Sequence, residues 1–81
     1  MNLKNIKLLV ELIDQKATGN PTEIGLKLGV SERMVYSYLE ILKTEFKAPI
    51  KFSRALQTYM FAEEGKLDLN WQEEFERKVK E

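Results

Sequence analysis

Asp14, Glu63, Glu64 and Asp68 are the carboxylates that could move protons, but they stand at no recognisable catalytic spacing. The chain has no histidine and no cysteine. That removes the commonest general base, the commonest metal ligand, thiolate chemistry and disulfides together. There is also no glycine-rich phosphate loop and no nucleophile motif. The sequence therefore predicts neither an enzyme nor a cofactor. What remains is charge, and it is unevenly spread. Residues 1–19, 20–46, 47–62 and 63–81 carry +1, −1, +3 and −3, so a net charge of zero conceals a body of +3 and an acidic end. Lys47, Lys51 and Arg54 supply the +3 of a segment that holds no acid. This asymmetry predicts a mildly basic binding body with an acidic appendage.

The elements that must position these charges follow from periodicity. With 81 residues, 43% hydrophobic and 32% charged, the chain has the composition of one ordinary globular domain. Leu3, Ile6, Leu9, Val10 and Ile13 mark one face of a first helix, which Leu8 and Leu12 widen enough to predict packing on two sides. Gly19 is the residue expected to end it in the left-handed conformation. Asn20-Pro21-Thr22-Glu23 then spells a helix start, with Asn20 as cap, Pro21 at the first position and Glu23 reaching back to the cap amide. This second helix runs to Gly29. After the turn Val30-Ser31, a third carries Val35, Tyr38, Leu39, Leu42 and Phe46 on its inner side until Pro49 stops it.

Beyond Pro49 the period changes to two. Ile50 and Phe52 alternate with Lys51 and Ser53, and Tyr59 and Phe61 with Thr58 and Met60, predicting a hairpin turning at Arg54-Ala55-Leu56-Gln57. That turn lacks the usual glycine or asparagine. Phe52, Tyr59 and Phe61 are expected to fill the core rather than form a stacking platform. A last helix, about 70–80, is predicted from Asn70 with Glu73 and from Trp71, Phe75 and Val79 at intervals of four. The expected organisation is a domain over 1–62 and an acidic extension over 63–81 with an amphipathic helix.

The stretch IGLKLGVSERMVYSYL resembles the bacterial helix-turn-helix pattern, with a small residue inside the first helix (Gly25) and glycine opening the turn (Gly29). With Ile24, Leu28, Val30, Val35 and Tyr38 as the apolar lock, ATGNPTEIGLKLGVSERMVYSYLEILK is similar to the small winged helix domains of bacterial transcription regulators. The resemblance spans about residues 3 to 62. It implies a mainly α fold with a small β-hairpin: a three-helix helix-turn-helix core, a two-stranded wing and a C-terminal helix.

It also implies sequence-specific binding to double-stranded DNA by a cytoplasmic transcriptional regulator acting as a homodimer. The third helix would enter the major groove with Arg33, Tyr36 and Ser37 at the bases, Arg33 suiting a guanine edge. Thr22, Lys27, Lys51 and Arg54 would contact phosphate. Glu32 and Glu40 depart from this pattern because they would face a polyanion. They favour the alternative, a winged helix used as a protein-interaction module, with Tyr36, Met34 and Ile41 in the docking face. Trp71, Phe75 and Val79 have two readings: a stripe folding back on the first helix, or a dimer or partner interface. The amino terminus reads as no signal peptide, and no stretch approaches the roughly 18 apolar residues of a membrane span.

Overall fold

A computed structural model describes residues 3–62 and 75–78 of the chain. Three helices, α1 (Leu3–Asp14), α2 (Pro21–Leu28) and α3 (Glu32–Glu45), precede two antiparallel strands, β1 (Ile50–Ser53) and β2 (Thr58–Phe61). This is the order of helices and hairpin that the periodicity predicts. Residues 75–78 are helical. The rest of the helix expected at about 70–80 lies outside the described residues, as do Trp71 and Val79.

Each boundary has a local cause. The Asn20 side chain accepts the Glu23 amide at 2.9 Å, and Glu23 accepts the Asn20 amide at 2.8 Å, so the expected capping box is closed. Ser31 caps α3 by accepting the Met34 amide at 3.1 Å. Gly29 ends α2 at φ 73°, and its amide and that of Val30 both donate to the Gly25 carbonyl. The end of α1 differs from expectation. Lys16, not Gly19, takes the left-handed position there, at φ 57°. The Lys16 amide donates to Ile13 and the Ala17 amide to Leu12, the paired bonds of a Schellman close. Gly19, at φ 76°, instead feeds the chain into the Asn20 cap, where a methyl group would collide with the Glu23 side chain.

The core forms where the three helices and the sheet meet. Ile6, Leu9 and Ile13 of α1, Ile24 and Leu28 of α2, and Val35, Tyr38, Leu39 and Leu42 of α3 are all buried. Leu8 is 38% exposed, so the second packing side expected of α1 is not filled there by the described residues. Gly25 sits where α2 approaches the following turn: a Cβ there would stand 2.7 Å from the Val30 carbonyl oxygen. Only a residue without a side chain allows so close an approach.

The hairpin pairs Ile50 with Phe61, Lys51 with Met60, Phe52 with Tyr59 and Ser53 with Thr58. Its four-residue turn manages without glycine. Gln57 takes the left-handed position at φ 54°, Ser53 Oγ accepts the Leu56 amide at 3.2 Å, and Gln57 Nε2 donates to the Arg54 carbonyl at 2.7 Å. A bond network absent from the sequence expectations ties the hairpin to the helices. The Thr18 amide donates to Thr58 Oγ1 at 2.9 Å, and the Tyr59 amide donates to Thr18 Oγ1 at 2.8 Å. Both threonines are buried. The α1–α2 connection thereby satisfies one outward amide of β2, that of Tyr59, through a threonine hydroxyl.

Candidate functional site

The capped start of α3 fixes which side chains face outward. Val35, Tyr38, Leu39 and Leu42 turn to the core, and Arg33, Ser37, Glu40 and Thr44 are left exposed on the opposite side. Tyr36, 52% exposed, and Met34, 44% exposed, flank that side, whereas Ile41 packs partly against the core. Arg33, Tyr36 and Ser37, the three residues expected at the bases, therefore share one open surface within the first two turns. Among the described residues, the Arg33, Lys51 and Arg54 side chains make no hydrogen bond or ion pair.

Glu32 is turned toward α2. The Thr22 hydroxyl donates to its carboxylate at 3.5 Å, a long contact that sets the starts of α2 and α3 side by side. In the first turn of α3 the carboxylate also complements the positive end of the helix dipole. Its presence thus has a structural cause. Lys27 likewise has an occupation the sequence did not suggest. Its ammonium donates to the Ala17 carbonyl at 2.7 Å and the Thr18 carbonyl at 3.1 Å, holding the α1–α2 connection.

Alternation along the strands puts Ile50, Phe52, Tyr59 and Phe61 on one sheet face and Lys51, Ser53, Thr58 and Met60 on the other. Ile50, Tyr59 and Phe61 pack partly against the core. Phe52 does not fill the core as expected. It is 36% exposed because it sits beside the turn, and it meets Tyr59 edge to face with 4.9 Å between ring centroids. Burial, with a further contribution from the Tyr36 phenol, holds the Tyr59 hydroxyl above the ordinary tyrosine value of 10.0. Lys51 stands on the sheet face opposite Tyr59, and Arg54 lies in the turn.

Of the three residues with two readings, a stripe folding back on the domain or a partner interface, Phe75 is buried in the domain's own core, its ring 5.0 Å from Phe46 in a T-shaped contact. The Lys78 ammonium stands over the same Phe46 ring, 5.6 Å from its centroid. Phe75 and Glu76 also line an open groove of about 320 Å³ with Lys7, Val10, Glu11, Asp14 and Phe61. Its three carboxylates give it an acidic character quite unlike the exposed side of α3. No helix of the described residues is long and apolar enough to cross a membrane. Comparison with known proteins finds no matching protein-family model, no similar curated protein and no similar solved structure.

Proposed function

We propose that the chain is a winged helix-turn-helix protein that binds double-stranded DNA sequence-specifically, as a small cytoplasmic transcriptional regulator. In this reading α3 lies in the major groove with Arg33, Tyr36 and Ser37 at base edges. Arg54 and Lys51 approach phosphates, the Thr22 hydroxyl does so only by giving up its contact with Glu32, and the hairpin is the wing. Lys27 contributes only through the ammonium hydrogen that its two carbonyl contacts leave over.

One observation carries the proposal. α3 commits one side to the core and leaves an arginine, a tyrosine and a serine together on the other, and the hairpin's arginine and lysine make no ion pair among the described residues. The close crossing at Gly25 and the left-handed Gly29 support it, because they give the α2–turn–α3 unit the compactness a groove requires. So few contacts make a single copy a weak reader, and a homodimer spanning two half-sites is the corresponding assembly.

Fluorescence anisotropy with labelled random duplex DNA, titrated at low and at near-physiological salt, tests the proposal. Two to three phosphates neutralised by Lys51, Arg54 and Lys27 predict affinity falling about 12-fold to 40-fold between 50 and 200 mM salt. Absence of binding at low salt would overturn it and favour the protein-interaction reading, for which the exposed Met34 and the 79% exposed Leu26 are the relevant apolar residues.

A further inference from the structure

The open side of α3 is unusual in what it lacks. No asparagine or glutamine occurs between Glu32 and Glu45, so this helix has no amide with which to read adenine bidentately. Arg33 is its only cation in the first two turns, and Lys43 lies near its far end. Glu32 is engaged toward Thr22. Glu40, one turn beyond Tyr36, can accept only from a base amine, that of cytosine or adenine. The large surfaces left are the Met34 side chain on one flank and, on the other, the ring of Tyr36, half exposed and three residues after Arg33. Three residues of helix rise about 4.5 Å, close to the roughly 3.4 Å step between stacked bases. Arg33 and Tyr36 are thus spaced to meet neighbouring base pairs.

We propose that Tyr36 reads the 5-methyl group of a thymine adjacent to a guanine held by Arg33, an inference that rests on the DNA-binding reading. A thymine offers the major groove an apolar methyl group beside one acceptor, and a phenol ring offers an apolar face beside one hydroxyl. The ring, not the hydroxyl, supplies the discrimination. The preferred sites of this protein therefore contain a methyl-bearing pyrimidine next to guanine, and the contact is insensitive to loss of the tyrosine oxygen.

The test begins by enriching a preferred duplex from a random pool, then replaces each thymine in turn with deoxyuridine, which lacks only the methyl group. Wild type, Tyr36→Phe and Tyr36→Ala are titrated against each duplex. The position is half exposed, so both variants leave the core intact. At one thymine, the wild type and Tyr36→Phe lose about fourfold in affinity on removal of the methyl, and Tyr36→Ala loses nothing. If no thymine responds, or if the response survives in Tyr36→Ala, the inference is overturned while salt-sensitive DNA binding stands. If no duplex binds at low salt, the DNA reading fails and the inference falls with it.

Discussion

Gly25 and Gly29 lie four residues apart and reject a side chain for different reasons. At Gly25 the backbone is ordinary helix, but a methyl group would press on the Val30 carbonyl, which cannot rotate away. At Gly29 the space is open within 4 Å and the obstacle is the left-handed backbone. Gly29→Ala is expected to cost about 1–2 kcal/mol through that conformation alone. Gly25→Ala is expected to cost up to about 3 kcal/mol and to shift α2 against α3. Urea denaturation of both variants measures the costs, and only the Gly25 variant should also impair DNA binding when it is folded. Tyr59 provides a second prediction at this scale. Its hydroxyl resists ionisation in the folded chain more than in the unfolded one, so its contribution is fully present below about pH 10. Above that the unfolded chain releases the proton first, and stability falls as pH rises toward the folded value. Thermal melts between pH 8 and pH 11 should show a shallower decline for Tyr59→Phe than for wild type.

The hairpin depends on the helices through two hydroxyls forty residues apart. Thr58→Val keeps the side-chain shape but leaves the buried Thr18 amide without its acceptor, at an expected cost of about 1–3 kcal/mol. Hydrogen exchange should show that amide, and the adjoining Tyr59 amide, losing protection while the centre of α3 keeps it. The contact also marks the limit of what sequence could show about the elements. Asn20-Pro21-Thr22-Glu23 and the Gly25–Gly29 pair are local signals, so the α2 cap and the turn could be read directly. The apolar stripes likewise identified the inner side of α3 and hence the outer residues Arg33, Tyr36 and Ser37. Nothing local marks a threonine that will meet another one across the fold. The same holds for the left-handed position, which went to Lys16 once the last amides of α1 had found their carbonyls. Phe52 illustrates a third case. Alternation correctly gives its sheet face, but whether that face is covered depends on how far the hairpin projects past the helices.

Across the whole molecule, the anchoring of the C-terminal segment and the exposed cations of the hairpin occupy different places. Phe75 reaches the core beside Phe46 and borders the acidic groove of α1 and β2. Arg54 stands in the hairpin turn, fully outside the core cluster. Stability and DNA affinity should therefore respond to different substitutions. Phe75→Ala removes a buried aromatic ring and is expected to cost about 3–5 kcal/mol, a large share of the roughly 5–15 kcal/mol that holds a domain folded. Arg54→Ala removes an exposed cation and should leave the melting temperature within about 2–4 °C of wild type, since surface changes of this kind stay within about 0.5 kcal/mol and a domain of this size shifts about 4–8 °C per kcal/mol. In the salt titration the roles reverse. The logarithmic slope of affinity against salt should fall by about 0.9 for Arg54→Ala, the share of a single neutralised phosphate. It should be unchanged for Phe75→Ala at a temperature where that variant remains folded. A changed slope in the Phe75 variant would mean that the segment it anchors bears on the proposed DNA-binding surface, coupling the −3 end of the chain to its +3 body. An unchanged one would mean that the acidic end acts on DNA only through the net charge it contributes, which salt at about 0.15 M screens beyond about 8 Å.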